Sequence, residues 1–159
     1  MQIKVVRTKD VPLPRYGHEG DAGMDLHATE DVTLMPGESA NMGSGLKFQI
    51  PRGYVGYVYA RSGLGSKGLV VKNGTGVIDS TYRGEVGLTL YNNNPVVVLD
   101  MDAKKFGAVR YNDEDIIQVR KGDRVAQIVF QRVEEAELVE VDELDATDRG
   151  EGGFGSTGV

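Results

Sequence analysis

Asp79 stands in the run Gly76-Val77-Ile78-Asp79-Ser80-Thr81-Tyr82-Arg83-Gly84, a carboxylate held in a turn bounded by glycines. A carboxylate so placed can orient a water and take its proton, the step that splitting a phosphoanhydride requires. Tyr82 follows three residues later. An aromatic ring there can pack on a sugar face and leave a 2′-hydroxyl buried without a partner. Arg61, Lys67, Arg83, Arg124 and Arg149 lie close to glycines, and cations near approachable backbone N–H groups suit phosphate. Each residue also has an ordinary reading: Asp79 with Ser80 forms a hydrogen-bonded turn, Tyr82 is a half-buried strand tyrosine, and the cations are solvated.

Composition narrows the chemistry. The chain has 159 residues, room for one domain of ordinary size. It has no cysteine, which removes thiol catalysis, disulfides and zinc–cysteine sites, and its only histidines are His18 and His27, too few for a histidine cage. A net charge of −6 argues against duplex DNA binding through a broad basic face. No apolar run approaches membrane-spanning length, and Met1 to Asp10 lacks an apolar signal core, so the expected location is the cytoplasm, with neither membrane nor nucleic acid as partner.

The elements that must position these residues read as strands. Short apolar or alternating runs occupy Ile3 to Val6, Gly45 to Ile50, Tyr54 to Tyr59, Val86 to Tyr91, Val96 to Leu99 and Val125 to Phe130. Pro36-Gly37, Pro51-Arg52-Gly53 and Asn73-Gly74 separate them as turn signals. The pattern predicts an all-β sandwich or barrel. Only Arg61 to Gly68 suits a short helix, with Ser62 as its N-cap. Glu134 to Asp148 carries eight acids and no base, and is read as a strand over Leu138 to Val141 followed by a linker. Arg149 to Val159 is glycine-rich and, as a chain end, is expected to be flexible.

Five glycine-punctuated segments follow one another: Ala22-Gly23-Met24-Asp25-Leu26, Arg61-Ser62-Gly63-Leu64, Asn73 to Gly84, Gly122-Asp123-Arg124-Val125-Ala126-Gln127, and Arg149 to Gly158. In this order they resemble the five motifs of the homotrimeric dUTPase family over residues 22 to 158. The resemblance implies a jelly-roll-like β fold and a homotrimer whose three sites draw on all three subunits. It also implies Mg²⁺-dependent hydrolysis of dUTP to dUMP and pyrophosphate, which limits uracil incorporation into DNA and supplies dUMP for thymidylate synthesis. Asp79 is then the catalytic base, and Tyr82 the ring that favours deoxyribose. Asn73, Gly76, Val77 and Ile78 line a hairpin that reads uracil, largely through backbone groups. Arg61, Ser62, Gly63 and Gln127 meet the phosphates.

The glycine-rich end gains a role by the same resemblance. Residues 1–148 form the β domain, and 149–159 an arm that closes over the nucleotide. In the arm, Phe154 stacks on uracil, and Arg149, Gly155, Ser156 and Thr157 hold the γ-phosphate, excluding bulk water. Mg²⁺ arrives on the triphosphate with water as its main other ligand, in keeping with its reluctance to dehydrate. Asp25 and Asp123 either orient an arginine or a metal-bound water, Asp25 through water-mediated contact, or form structural pairs.

Two features depart from the family pattern. Thr81 stands where many members carry Asp, and the chain between Asn92 and Lys121 is longer, with the excess at Asn93 to Asp115, read as an added hairpin or loop. The related dCTP deaminases need a glutamate in the strand after the central hairpin, and here that strand reads Gly87-Leu88-Thr89-Leu90-Tyr91. A different class, a regulatory module that signals its nucleotide-bound state to a protein partner, is compatible with the arm and the added segment.

Overall fold

The computed structural model describes residues 1–99, 108–110 and 112–153. Thirteen strands are described, together with one short helix and a 3₁₀ turn at Asp113–Asp115. In chain order the strands are β1 (Lys4–Arg7), β2 (Met24–His27), β3 (Val32–Leu34), β4 (Ser39–Gly43), β5 (Leu46–Gln49), β6 (Tyr54–Tyr59), β7 (Leu69–Val71) and β8 (Gly76–Ile78). β9 (Gly87–Asn92), β10 (Val97–Leu99), β11 (Ala108–Arg110), β12 (Ile117–Val119) and β13 (Arg124–Arg132) follow, and the helix α1 (Ser62–Gly65) lies between β6 and β7.

Alternation decides which faces turn inward. In β5, Leu46 and Phe48 are buried while Lys47 and Gln49 are exposed, the two-residue period of a half-buried strand. β9 buries Leu88, Leu90 and Asn92 on one face. β13 is irregular where its pairing register with β2 shifts between Arg124 and Ala126, and both Val125 and Ala126 are buried. All pairings are antiparallel. One sheet runs β2-β13-β6-β8 and a second β4-β9-β7, while β1-β5, β12-β3 and β10-β11 form two-stranded ribbons. Leu26, Leu34, Leu46, Val58, Val86, Leu88, Leu90 and Ile128 meet in one apolar core. Each such side chain contributes about 1.5–3 kcal/mol on leaving water.

The fold is all-β, as the runs predict. Gly53 and Gly74 take left-handed φ values of 79° and 72° at two of the expected turns, a conformation that favours glycine. Three expectations are corrected. The helix covers Ser62–Gly65 only, and Arg61 rather than Ser62 occupies its N-cap, with no side-chain cap bond. No strand forms over Leu138 to Val141, because this stretch finds no partner strand among the described residues and its side chains are exposed. The arms of the expected Asn73 hairpin do not pair with each other: β7 joins β9 and β8 joins β6, so the turn between them crosses from one sheet to the other.

β10 and β11 pair in the register Val97↔Arg110, and the base of this segment is pinned from inside. Buried Asn92 donates from Nδ2 to the carbonyls of Leu34 (2.9 Å) and Asp115 (2.7 Å), and accepts Asn94 N–H on Oδ1 at 3.0 Å. Asn94 in turn donates to the Lys67 carbonyl at 3.2 Å. Among the described residues, no helix is long and apolar enough to cross a membrane.

Candidate active site

Four elements assemble the cationic half of the site. β2 and β13 place Asp25 and Gln127 opposite one another, and β6 brings Tyr59 opposite Gln127 from the other side. Beyond β6 the chain turns into α1 at Arg61, whose Nε donates to Asp25 Oδ1 at 2.7 Å. Arg124 Nη1 reaches Asp25 Oδ2 at 3.4 Å, and Arg61 Nη1 donates to the Arg124 carbonyl at 3.2 Å. Asp25 therefore spans two guanidiniums. Its side chain and that of Arg61 are about three-quarters buried, at 26% and 28% exposed, which favours a defined ion pair over a solvated one. Of the two readings for Asp25 and Asp123, Asp25 orients arginines. Asp123 instead closes its own turn, accepting Arg120 N–H at 2.8 Å.

Gln127 completes this half from below. Its Nε2 donates to the Ala60 carbonyl at 3.0 Å, fixing the residue that precedes Arg61. Its amide lies over Gly23, where an added Cβ would collide with it. Ser62 and Gly63 are exposed at the start of α1, where the backbone N–H groups have no partner within the helix, and the space over Gly63 is open. His27 lies on the same face of β2 as Asp25. Its pKa is lowered, first by burial and then by the two arginines, against the opposing pull of Asp25, so the imidazole favours its neutral form.

The second half lies at the other edge of the same sheet. β8 is an edge strand, so its outer row of backbone donors and acceptors has no strand partner among the described residues. Gly76 packs against Val58, with room for an added Cβ only 3.2 Å from Val58 Cβ, while Val77 is exposed and Ile78 packs on the core. Asn73 is exposed in the turn before β8. Asp79 follows directly. Its carbonyl accepts Tyr82 N–H at 3.1 Å, while its exposed carboxylate has no hydrogen-bond partner among the described residues. The turn is thus closed by backbone, leaving the acid unoccupied by it.

Tyr82, 44% exposed, covers Gly84, where a side chain would strike the ring, and its hydroxyl donates to the Glu85 carbonyl at 3.0 Å. Arg83 folds back on this loop, donating to the carbonyls of Ser80 (2.7 Å) and Tyr82 (2.8 Å). Its cation is a staple for the loop rather than a free surface charge.

No hydrogen bond or ion pair joins the two halves among the described residues. β2 and β8 stand at opposite edges of the four-stranded sheet, a separation of about 14 Å at the usual strand spacing. Arg149 belongs to neither half, since its Nε donates to the Gly152 carbonyl at 2.8 Å in an exposed turn. Phe154, Gly155, Ser156 and Thr157 lie outside the described residues. Among the described residues no three His, Cys, Asp or Glu side chains converge as a metal cage. Asp25 gives one oxygen to each guanidinium and keeps further lone pairs for a metal-bound water. Such hard oxygen donors, too few for an all-protein cage, suit Mg²⁺.

Sequence reasoning does not find Glu85. The Glu85 carboxylate accepts Thr8 Oγ1–H at 2.7 Å and Gly45 N–H at 2.9 Å, partners 77 and 40 residues away. Nor does it find that Gly23 makes room for Gln127. Both depend on contacts between distant segments, and neither period nor local charge signals them.

A guanidinium–carboxylate cluster beside open amides, with an unoccupied acid and a ring on an open strand edge, suits a nucleotide-phosphate hydrolase built on β-sheet. Comparisons with known proteins agree. The dUTPase family model matches residues 9–104 and 96–158. Deoxyuridine 5′-triphosphate nucleotidohydrolase of Thermobifida fusca (strain YX) is 45% identical over 150 residues, covering 94% of this chain and 74% of the relative. That of Corynebacterium glutamicum is 44% identical, covering 98% and 94%. A variant of Staphylococcus bacteriophage 80alpha dUTPase solved with dUpNHpp superposes with a TM-score of 0.82 at 32% identity, covering 99% of each chain. The dUTPase of Staphylococcus aureus phage phi11, solved to visualise its species-specific insert, gives 0.73 at 30% identity over 92% of this chain and 100% of that one. The chain belongs to the dUTPase family.

Proposed function

We propose that the protein hydrolyses dUTP to dUMP and pyrophosphate, with Asp79 as the base that prepares the attacking water. The observation that carries this reading is the Asp79 carboxylate itself: exposed, without a hydrogen-bond partner among the described residues, and set at the end of the open edge of β8. Asp79 takes a proton from water as its oxygen bonds to phosphorus, and pyrophosphate leaves with the electrons of the broken anhydride bond. Uracil lies against β8, where Gly76 and Val77 offer backbone groups and Asn73 borders the turn. Tyr82 faces the deoxyribose. Arg61, with the Ser62 and Gly63 amides, receives phosphate oxygens, and Gln127 holds this group in place by anchoring Ala60. When bound on the triphosphate, Mg²⁺ neutralises part of its charge and fixes its shape.

The two half-sites lie at opposite edges of one sheet and share no hydrogen bond or ion pair among the described residues, and a homotrimer in which neighbours contribute complementary halves accounts for the arrangement. Residues 1–148 form the β domain, and 149–159 close as an arm bearing Arg149, Phe154, Gly155, Ser156 and Thr157. The cellular consequence is a lower dUTP level, hence less uracil in DNA, and a supply of dUMP.

The test is Asp79→Asn. The variant is expected to bind a non-hydrolysable dUTP analogue as the wild type does, while turnover falls by about 10²-fold or more, the scale of a positioned general base. Turnover of dUTP close to wild type would remove Asp79 from the reaction. Pyrophosphate release measured with dUTP, dCTP, dTTP and UTP fixes the substrate.

A further inference from the structure

Resting on the reading of Tyr82 as the residue that faces the sugar, we infer that Glu85 is a positioning residue. Its carboxylate latches the catalytic loop to two distant segments, and so sets the discrimination between deoxyribose and ribose nucleotides.

The loop from Asp79 to Gly84 leaves the sheet edge at β8 and returns at β9; its internal bonds close it on itself, and its return ties it to the rest of the fold. Val86 is fully buried, accepts Ser44 N–H at 2.8 Å and donates to the Leu46 carbonyl at 2.9 Å. Glu85, immediately before it, adds a second tie through its side chain, taking Thr8 Oγ1–H just after β1 and Gly45 N–H between β4 and β5. Gly43 leaves the space this carboxylate fills, since a Cβ there would overlap its oxygen and stand 3.0 Å from Cδ. The Thr8 hydroxyl and then the Gly45 N–H hold the carboxyl below the usual range, with Lys9 and Lys47 adding to the effect, so the latch is ionised at neutral pH.

The loop end of the latch is the part that meets Tyr82. The Glu85 carbonyl is the acceptor of the Tyr82 hydroxyl, and Gly84 is the floor beneath the ring. The peptide group whose carbonyl receives the phenol is thus held twice, by its Val86 N–H on the Leu46 carbonyl and by the Glu85 side chain on Thr8 and Gly45. Discrimination against a 2′-hydroxyl depends on a close and rigid surface, because a ring that can retreat leaves room for the extra oxygen and its water. Releasing the latch therefore widens the sugar pocket without touching Asp79.

The experiment measures kcat and KM for dUTP and UTP, with melting temperatures, in the wild type and in Glu85→Ala, Glu85→Gln, Thr8→Val and Gly43→Ala. Glu85→Ala is expected to lower the dUTP-to-UTP ratio of kcat/KM about tenfold, through a raised KM for dUTP and a gain on UTP. Gly43→Ala, which displaces the carboxylate without altering it, and Thr8→Val move the ratio the same way by a smaller factor. Glu85→Gln, which can keep both contacts, stays within about twofold. A folded Glu85→Ala and Gly43→Ala with the wild-type ratio would overturn the inference alone. If Glu85→Ala does not fold, the ratios of Thr8→Val and Gly43→Ala decide in the same way. A wild type inactive on dUTP would overturn the functional reading and this inference together.

Discussion

Asp25 has no free choice of partner once Arg61 and Arg124 lie on either side of it. Losing one negative charge there leaves two guanidiniums facing each other, and Arg61 no longer pre-set for phosphate. Asp25→Asn is therefore expected to raise KM for dUTP by about tenfold, equivalent to about 1.4 kcal/mol, with a smaller change in kcat. A kinetic titration that finds kcat lowered and KM unchanged would instead place Asp25 in the chemical step. At this scale the sequence is informative in an uneven way. Asp79, Tyr82 and Arg61 stand out only through the five glycine-punctuated segments taken together, since each alone has an ordinary reading. The direction in which each points is another matter: that Arg83 bonds its own loop, or that Gln127 serves Ala60, follows from packing that no local spacing encodes.

At the level of elements, six strands are legible as apolar or alternating runs. β3, β7, β8, β11 and β12 are hidden because three residues hold too little pattern, and β2 and β4 because Met24-Asp25-Leu26-His27 and Ser39-Ala40-Asn41-Met42-Gly43 carry too few apolar residues. β8 is the instructive case. Gly76-Val77-Ile78 looks like one arm of a hairpin, yet β7 and β8 take partners in different sheets, since Leu69 and Val71 find their burial against β9 while Ile78 finds it beside β6. The Leu138 to Val141 stretch fails for the opposite reason: its composition is β-prone, but no described strand offers an edge to it. Asn92 shows what a single element end can carry. Its amide donates to two carbonyls from β3 and the 3₁₀ turn, so Asn92→Ala removes the side-chain donor of the Leu34 carbonyl and leaves the Asp115 carbonyl with Asn94 Nδ2 at 3.1 Å. The expected loss is about 2 kcal/mol, read as a lower urea midpoint with an unchanged m-value.

At the scale of the whole molecule, a single copy bares apolar side chains near its end. Leu138, Val139 and Leu144 are 94%, 74% and 85% exposed, and every residue from 131 to 150 is exposed, although the paired Arg52 and Glu135 tie down the start of this stretch. Apolar side chains so fully bared on an isolated chain point to burial in an assembly. Light scattering is expected to give three times the 17.2 kDa chain mass, and dilution to subunits to abolish dUTP turnover while β-sheet circular dichroism persists. An active monomer would show that one chain closes its own site.

β13, nine residues long and bonded on both sides by β2 and β6, carries Gln127, while Asp79 hangs from the three-residue edge strand β8. Strands paired on both sides open only with global unfolding, whereas edges fray at far lower cost in free energy. Gln127, which anchors Ala60 ahead of Arg61, thus belongs to the last part of the fold to come apart, and the proton-abstracting residue to one of the first. Thermal fraying will then displace Asp79 before it frees the Gln127 anchor, and a nucleotide bound against β8 will stabilise the edge that it finds loose.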